Sequence, residues 1–420
     1  MQCGKLSKMQ GKEIGMKLRF SSTLFLILSL LPSIVCGANY SASSCSCDDV
    51  ATAIASASDG DTIVVPSGNC SWSGLSINKA ITLQGAGIGK TNITLSGNNI
   101  ITKQPGGIIR ITGFSFSKTG GGNKSKGFTI RGPWQNAEPV IIEGNEFTIN
   151  ESGLFLIEVA GGVIIANNSF KGDWDDSFIQ AKEPSDSGSS WGTPDTMGTR
   201  DTTGKLNIYI ESNKFYGGTN QGIDADDSTR VVFRYNDLTY SSFNSHGMAT
   251  SPVGVRHWEV YGNTFHYPGG TDQIANQNWC IWIRGGTGVI ANNYFDDIAG
   301  WYWGNKPEAR FSIRGAEDCR PQGSCQNVRY PVPHQLGQNY NGESYFTDPI
   351  YIWGNTGTFV MGMGWSWGNP CGLTFSEFFK SGRDYVVGTP KPGYTAFPYP
   401  HPLVAGHNSI AAPSNLRVLQ

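Results

Sequence analysis

The sequence predicts an all-β chain wound as a single right-handed parallel β-helix, a solenoid of short strands. One phrase recurs: an apolar run, then Asn, one further residue, and Phe or Leu. Its asparagines are Asn145, Asn168, Asn213, Asn236, Asn263, Asn293 and, in a degraded copy, Asn355. From Asn213 to Asn293 the copies are 23, 27 and 30 residues apart, a repeat length typical of solenoids. No copy holds a helical pattern long enough for a crossover helix, so neighbouring copies must pair directly as parallel strands.

Each copy alternates with the period of two that a β-strand requires. Val231 and Phe233 point one way, and Arg234 points the other. Stacking equivalent positions puts Asn on Asn and Phe on Phe, at the spacing of about 4.8 Å between paired strands. Arg234, on the outward side beside Glu211, is predicted to form a surface ion pair. The alternative fold is an antiparallel β-sandwich, whose turns should recur about every 8 to 12 residues.

Residues 1–37 are predicted to be upstream residues followed by a signal peptide. Lys17 and Arg19 precede an apolar run at residues 24–31, and residues 35–37 offer small side chains for cleavage near Gly37. The run is too short to span a bilayer, so we expect a secreted protein without stable membrane insertion. Cys36 raises the alternative of a lipoprotein, but residues 33–35 make a poor lipobox.

The first elements after the signal are similar to a known superfamily. Residues 47–55 read Cys-Asp-Asp-Val-Ala-Thr-Ala-Ile-Ala, residues 59–62 read Asp-Gly-Asp-Thr, and residues 81–87 read Ile-Thr-Leu-Gln-Gly-Ala-Gly. Together they resemble the opening of the pectate-lyase-like β-helices, the pectin lyase fold superfamily. The resemblance implies a short amphipathic helix that caps the first coil and a first strand introduced by Asp-Gly-Asp-Thr.

The Asn-x-Phe copies resemble the same superfamily, so the likeness covers roughly residues 44–355. We expect one β-helix domain with long loops at residues 38–357, because a solenoid of this size is one unit. Residues 358–420 are predicted to be an extension that packs on the helix or its last coil. Their ending, up to His401-Pro402-Leu403, is similar to tails of secreted bacterial β-helix proteins. The superfamily contains lyases, hydrolases, esterases, tailspikes and adhesins, so the fold does not select a reaction.

Composition fits an extracellular carbohydrate protein. The chain has 55 Gly residues, 15% charged residues and a net charge of −2, which gives no electrostatic reason to bind nucleic acid. Seven cysteines follow the signal, and export favours disulfides. We expect Cys70 to pair with Cys45 or Cys47, and Cys319 to pair with Cys325. No Cys and His spacing suits zinc.

Chemistry on this scaffold is expected on an outer sheet face, because the interior of the coil is filled by its core. The strand before each Asn strand offers an outward row of residues. In register, that row is predicted to contain Glu158, Gln180 or Lys182, Asp224 and Asp226, His246, and Trp282 and Arg284. Such groups would be close enough to act on one sugar, and Glu158, Lys182 and Trp282 are predicted to bind substrate.

Asp224, Asp226 and Asp227 form the strongest candidate cluster. Asp224 and Asp226 share one face of a strand, and Asp227 begins the following turn. These acids can hold calcium, which needs several oxygen ligands, or Asp224 and Asp226 can act as an acid and base pair. The alternative is that Asp caps a turn. His246, one rung later, could move a proton near neutral pH or remain a solvated loop residue.

Arg230, Arg256 and Arg284 recur near the start of three successive rungs. Lyases of this fold cleave uronate glycans by β-elimination, which needs a base and a cation, so the resemblance implies a catalytic Arg. Arg284 is favoured because Gly285 and Gly286 permit close approach of substrate, and Arg256 is predicted to contact substrate. The alternative is a structural Arg bonded to turn carbonyls.

Three tryptophans on long insertions are predicted to bind substrate. Trp191 lies between Asn168 and Asn213, and Trp301 and Trp303 open the excursion after Asn293. Aromatic rings stack on pyranose faces, and loops of this length are uncommon without a role. Trp365 and Trp367 could equally cap the coil.

The function predicted from these residues is a secreted polysaccharide-active enzyme, foremost a lyase that cleaves an acidic polysaccharide by β-elimination. Asp224, Asp226, His246 and Arg284 are its predicted catalytic residues, with calcium as a possible cofactor. The sequence lacks the Arg-x-Pro-x-x-Arg and Trp-Ile-Asp-His blocks of pectate lyases, which leaves two alternatives open. One is a glycoside hydrolase that uses the same carboxylates, and the other is a non-catalytic glycan-binding surface protein or adhesin.

Overall fold

Three parallel β-sheets, here named A, B and C, wind along one axis in the computed structural model. The structure describes residues 37–118, 126–132, 137–149, 155–159, 161–172, 177–182, 203–217, 222–226, 229–247, 255–266, 279–296, 308–313, 336–340, 345–365 and 374–404. Each complete coil contributes one strand to each sheet, and strands of neighbouring coils pair in parallel. The predicted parallel β-helix is confirmed, and its right-handed sense is that of parallel crossovers in general.

Sheet A has twelve strands, in the order β1 (Asn39–Ser41), β2 (Thr62–Val65), β5 (Thr82–Gly85), β8 (Ile109–Thr112), β11 (Val140–Glu143), β14 (Val163–Ala166), β17 (Ile208–Glu211), β20 (Arg230–Arg234), β23 (His257–Tyr261), β26 (Thr287–Ala291), β31 (Ile350–Trp353) and β34 (Tyr385–Val387). Sheet B has ten strands, in the order β3 (Gly68–Trp72), β6 (Thr91–Leu95), β9 (Ser115–Lys118), β12 (Glu146–Ile149), β15 (Ser169–Lys171), β18 (Lys214–Tyr216), β21 (Asp237–Thr239), β24 (Thr264–His266), β27 (Tyr294–Phe295) and β32 (Thr356–Gly357).

Sheet C, which carries the candidate site, has ten strands, in the order β4 (Ser76–Ile77), β7 (Asn99–Thr102), β10 (Lys126–Arg131), β13 (Phe155–Val159), β16 (Ser177–Ala181), β19 (Ile223–Ala225), β22 (Phe243–Ser245), β25 (Trp279–Ile283), β28 (Glu308–Ile313) and β33 (Val360–Trp365). The remaining elements are α1 (Cys47–Ser56), the antiparallel pair β29 (Gln338–Tyr340) and β30 (Tyr345–Thr347), and α2 (Phe375–Phe378). In the described ranges that pair is the only antiparallel ladder between named strands, which excludes the β-sandwich.

Ring stacks fill the interior of the coil. Phe147, Phe170 and Phe215 occupy equivalent positions of sheet B, and their ring centroids lie 4.9 and 4.8 Å apart along the stack. The spacing equals that of paired strands, so each ring packs on the next without a gap. Val231 and Phe233 also point into this core, as predicted. Full burial of such a side chain contributes about 1.5–3 kcal/mol, so the interior supplies much of the driving force for winding.

The predicted asparagine ladder is present at the bend between sheets A and B. The side-chain amide of Asn213 donates to the carbonyls of Ile165 and Glu211, at 2.8 and 3.0 Å. The same amide and the backbone N–H of Asn213 both donate to Oδ1 of Asn236, at 3.1 and 3.0 Å. The ladder also joins Asn145 to Asn168, Asn168 to Asn213, Asn236 to Asn263, Asn263 to Asn293, and Asn293 to Asn355. Each buried amide therefore satisfies backbone groups that a bend would otherwise leave unpaired.

The first coil is closed by α1, as the resemblance implied. Its apolar side buries Val50, Ala53 and Ile54. The Asp-Gly-Asp-Thr motif has a physical role there, because Asp61 accepts hydrogen bonds from the backbone N–H groups of Ala38 and Ser58, both at 2.7 Å. The turn before β2 is thereby tied to the start of the described chain.

A disulfide joins Cys45, just before α1, to Cys70 in β3. This is one of the two pairings expected for Cys70. Cys319 and Cys325, for which a second bridge was predicted, lie outside the described residues. Within the described ranges, no helix is long and apolar enough to cross a membrane.

Residues 389–404, here named the C-terminal strap, lie along the outer face of sheet A. The guanidinium of Arg234 donates to the carbonyls of Phe397 and Pro398, both at 2.8 Å. The backbone N–H of His401 donates to Oε1 of Glu211 at 2.8 Å. The strap therefore binds charged groups that project outward from the sheet.

The strap buries the Arg234–Glu211 ion pair, in which Nε of Arg234 donates to Oε2 of Glu211 at 2.8 Å. Arg234 and Glu211 are both 0% exposed. The prediction of a surface ion pair was therefore wrong about its environment. The pair exists, but residues about 160 positions later in the sequence cover it.

Candidate active site

Two rows of residues lie at the outward positions of sheet C. Strand pairing aligns the first row, which contains Glu158, Gln180, Asp224, Asn244, Trp282 and Arg310. Continuing the same register by two residues gives the second row, which contains Lys182, Asp226, His246, Arg284 and Ser312. The predicted single row is thus two parallel rows. His246 lies in the second row, and Asn244 takes the position beside Asp224.

Side chains from four successive coils meet around Asp224. Its Oδ1 lies 2.8 Å from Nε2 of His246, and its Oδ2 accepts a hydrogen bond from Gln180 at 3.3 Å. Nη2 of Arg284 contacts Nε2 of His246 and donates to Oδ1 of Asn244 at 3.3 Å. The structure therefore gathers a carboxylate, an imidazole and a guanidinium, all of them predicted from the sequence, into one hydrogen-bonded cluster.

Two opposing effects set the ionisation of Asp224. Burial alone would raise the pKa of its carboxyl group. Attraction to His246 and Arg284, together with hydrogen bonds from His246 and Gln180, outweighs the burial and lowers the pKa of Asp224 below its ordinary value. Asp224 is therefore ionised at neutral pH and acts as a hydrogen-bond acceptor.

Nε2 of His246 lies between two groups with opposite demands. A carboxylate only accepts hydrogen bonds and a guanidinium only donates them. Asp224 favours a proton on Nε2 of His246, whereas Arg284, which contacts the same nitrogen, favours a lone pair there. In this arrangement Asp224 and Arg284 together hold the Nε2 edge of the imidazole in place.

Arg284 rests on the ring of Trp282. Its guanidinium carbon lies 4.2 Å from the ring centroid, and Nε1 of Trp282 donates to Oγ of Ser312 at 2.7 Å. A cation over an indole face is attracted by the ring electrons. Trp282, predicted to bind substrate, therefore holds the cation of the cluster in place.

Gly285 is required by the fold rather than by substrate. A Cβ at this position would lie 2.7 Å from the carbonyl oxygen of His246 and 2.7 Å from Cα of Gly247. The backbone of the preceding coil therefore occupies the space that the sequence analysis assigned to substrate. The glycine brings the coils that carry His246 and Arg284 close together.

The other predicted site residues are distributed as follows. Arg256 is buried just before β23 of sheet A, where its N–H donates to the carbonyl of Thr229 at 3.1 Å, so it joins neither row of sheet C. Asp226 is buried in the second row. Glu158 is in register in the first row, but its side chain lies outside the described part. Asp227, Trp191, Trp301, Trp303 and Trp367 also lie outside the described residues.

The residues that the sequence analysis missed are Asn244 and Ser312. Asn244 accepts from Arg284, and Ser312 anchors Trp282. Counting strand register from Asp224 to Trp282 would have found Asn244, because it stands midway between them in the same row. Ser312 gives no comparable signal, since no Asn-x-Phe copy follows its strand until Asn355.

Calcium is not a good match to the described acids. Oδ2 of Asp224 accepts a hydrogen bond from Gln180, Oδ1 faces His246, and Arg284 places a positive charge beside the same cluster. Among the described residues, no group of three or more His, Cys, Asp or Glu side chains could hold a metal ion. A site that included Asp227 stays a prediction, because that residue is not described.

Comparisons with known proteins give remote structural likenesses. No protein-family model matches the chain, and no curated protein matches it. An alginate lyase from Paenibacillus sp. str. FPU-7 is 15% identical with a TM-score of 0.44, covering 79% of this chain and 98% of that one. A PL6 family polysaccharide lyase from Pseudopedobacter saltans is 14% identical with a TM-score of 0.43, covering 83% and 91%. The PL6 family alginate lyase AlyGC is 15% identical with a TM-score of 0.37, covering 77% and 53%.

Proposed function

We propose that this chain is a secreted polysaccharide lyase that cleaves an acidic polysaccharide by β-elimination on the outer face of sheet C. The observation that supports the proposal most directly is the Asp224–His246–Arg284 cluster. It places an imidazole, a side chain that can accept a proton, beside a fixed cation, within hydrogen-bond distance of each other. These are the two groups that elimination from a uronate requires.

The residues have separate tasks in the proposed reaction. His246 removes the proton from the carbon next to the uronate carboxylate. Arg284 neutralises that carboxylate and so stabilises the enolate that forms. The bond from the neighbouring carbon to the glycosidic oxygen then breaks, a carbon–carbon double bond forms, and the leaving oxygen takes the proton that His246 removed, which restores the imidazole. Asp224 orients His246 and stabilises the imidazolium. No step uses a metal.

Hydrolysis by the same residues has less support. A glycoside hydrolase needs one carboxyl group that is still protonated near neutral pH, and its pKa must therefore be raised. The pKa of Asp224 is instead lowered, with His246 and Arg284 counteracting its burial. Asp224 is thus unsuited to act as the general acid.

The reaction class can be tested with protein that begins at Ala38 and a panel of acidic and neutral glycans. Unsaturated ends absorb ultraviolet light, so a lyase should produce new absorbance together with new reducing ends. Reducing ends without absorbance would identify a hydrolase, and neither signal across the panel would favour a binding protein. Repeating the assay with calcium and then with a chelator tests the predicted calcium dependence separately. Export can be followed by the mass of the protein recovered outside cells that express residues 1–420.

The role of His246 can be tested with a matched pair of substitutions. His246→Gln should lower kcat by about 10²–10⁴-fold, the usual contribution of a general base. His266→Gln serves as the control, because His266 lies on sheet B and contacts neither row of sheet C. Equal kcat values in the two variants would disprove the assignment of His246 as the base.

A further inference from the structure

A cavity of about 330 Å³ lies between the C-terminal strap and sheet A. Its floor is formed by the edges of β14 and β17, and its roof by strap residues 397–403. The volume is at the lower end of the range for small-molecule sites, about 300–1,000 Å³. It is on a different sheet from the Asp224 cluster, so the proposed reaction gives it no role.

One polar side chain at the cavity, Asn207, has a hydrogen-bond acceptor that is unpaired among the described residues. Asn207 lines the cavity and is 1% exposed. Nδ2 of Asn207 donates to the hydroxyl of Tyr209 at 3.2 Å. Oδ1 of Asn207 is buried and has no hydrogen-bond partner in the described part of the chain. A buried acceptor left unpaired is destabilising, so a ligand that donates a hydrogen bond here would remove that cost.

His401 supplies a second polar contact in the roof. Burial first, and then the charge of Arg234, lower the pKa of His401 to about 4, so its ring is neutral at pH 7. Nδ1 accepts a hydrogen bond from the backbone N–H of Leu403 at 3.3 Å. The proton of the neutral ring is therefore on Nε2, which can donate.

The remaining walls are apolar or balanced in charge. The ring of Tyr209 packs edge to face against Phe397, with 5.6 Å between centroids, and against His401, with 4.7 Å. One acid, Glu138, and one base, Lys205, line the cavity, so it has no net charge that would attract an ion. A pyranose has apolar faces that pack on aromatic rings and hydroxyls that both donate and accept.

We propose that this cavity is a second carbohydrate site, which binds a neutral mono- or disaccharide independently of the proposed catalytic face. A sugar hydroxyl donates to Oδ1 of Asn207, another accepts from Nε2 of His401, and a ring face packs on Phe397. The strap thereby becomes part of a binding site as well as a cover for sheet A.

The test is saturation-transfer NMR and calorimetric titration of the protein from Ala38 with glucose, mannose, galactose, maltose and cellobiose. At least one of these sugars should bind, and Asn207→Ala and Phe397→Ala should each weaken its binding at least tenfold. Phe397 is only half-buried, so its variant should fold even if Asn207→Ala does not. Phe346→Ala is the matched control, because Phe346 is an exposed ring at another place on the chain, and it should leave binding unchanged.

Two further variants separate this site from its alternatives. Asp224→Asn should lower kcat by about 100-fold or more and leave sugar binding intact, so failure of the lyase proposal would not affect the result. Loss of sugar binding in Asp224→Asn would overturn the second site, because the sugar would then be bound on sheet C. Absence of binding by all five sugars would also overturn it. The proposal would also be overturned if glucuronate were the only sugar to bind and Lys205→Ala abolished that binding, since the ligand would then be an acid.

Discussion

Asp224 is ionised although it is buried, because two positive or proton-donating neighbours face it. A unit charge pair at about 4 Å is worth about 4 kcal/mol at the effective dielectric of a protein surface. The neighbours come from two different coils, His246 and Arg284. The charge state of this carboxylate therefore depends on the stacking of coils rather than on its own strand.

We expect Asp224→Asn to lower kcat by about 100-fold or more while KM changes little, because the amide no longer fixes the imidazole in one orientation. Steady-state kinetics would measure both constants. A variant with unchanged kcat would show that Asp224 does not position the base.

The contacts of His266 predict that the stability of the fold depends on pH. Its Nε2 lies 3.1 Å from Oδ1 of Asp237, and its Nδ1 contacts Asp296. The hydrogen bond to Asp237, followed by that to Asp296, raises the pKa of His266 from 6.5 to about 9 against the effect of burial. Between these pH values the folded chain keeps a proton that the unfolded chain has lost.

The free energy of unfolding should therefore fall as pH rises from about 6.5 to about 9, with the full contribution of His266 present below that window. Denaturant titrations of the wild type and of His266→Gln at several pH values would show it. The two proteins should converge in stability at the alkaline end. Parallel curves across the window would rule out this linkage.

The bend before each ladder asparagine is the element that repeats most faithfully. The residue before the ladder Asn has a positive φ in seven coils, at Gly144 (64°), Asn167 (56°), Ser212 (56°), Tyr235 (53°), Gly262 (67°), Asn292 (53°) and Gly354 (65°). This conformation destabilises a non-glycine residue by about 1–2 kcal/mol. The buried amide of the next residue offsets the cost with its ladder of hydrogen bonds.

We expect Gly262→Ala to destabilise the chain more than Gly144→Ala. Both substitutions carry the cost of positive φ, about 1–2 kcal/mol. A Cβ at position 262 would also lie 2.5 Å from the ring of Tyr235, whereas one at position 144 meets only Oγ1 of Thr112 at 3.3 Å. Crowding of the ring should add about 1–3 kcal/mol. Equal unfolding midpoints in urea would contradict the reading of Gly262 as a packing requirement.

The repeating elements could be predicted because each copy contains the same local pattern of apolar residues, Asn and Phe or Leu. The Asn ladder and the Phe stack follow from period and spacing alone, and both were confirmed. The site could be predicted only in part. His246 and Asp224 were found as chemically capable residues, but their direct contact depends on side chains that cross from one row to the next. Asn244 has the residue type of a ladder position, so its role as acceptor for Arg284 was hidden.

At the scale of the whole molecule, the feature that could not be predicted is the environment of Arg234. Its strand and its partner Glu211 are evident in the sequence, but its burial depends on Phe397 and Pro398, which are 163 and 164 residues away. Burial also lowers the pKa of Arg234, but Tyr261 and Glu211 outweigh it, and the net shift is upward. Such a charge is stable in the interior only while its partners remain.

Deletion of residues 389–420 should therefore lower the free energy of unfolding by at least about 3 kcal/mol, since Arg234 alone loses two bonds from a charged donor, each worth about 1.5–3 kcal/mol. Chemical denaturation would measure the loss. Deletion of residues 405–420 is the control, because it leaves every described contact of the strap in place. If both deletions shift the midpoint equally, the strap does not stabilise sheet A.

The strap also decides when folding can be completed. In a plain solenoid each coil contacts only its neighbours, so winding can begin anywhere and spread along the chain. Here Leu403 of the strap accepts a hydrogen bond from Arg110, 293 positions earlier. The strap is synthesised after all the coils that it covers. A nascent chain can wind its coils one after another, but the charged groups on the outer face of sheet A stay exposed to water until the strap leaves the ribosome. We therefore expect docking of the strap to be a late and slow folding step, because it joins residues that are far apart in the sequence. The coils should become resistant to protease before the outer face of sheet A does.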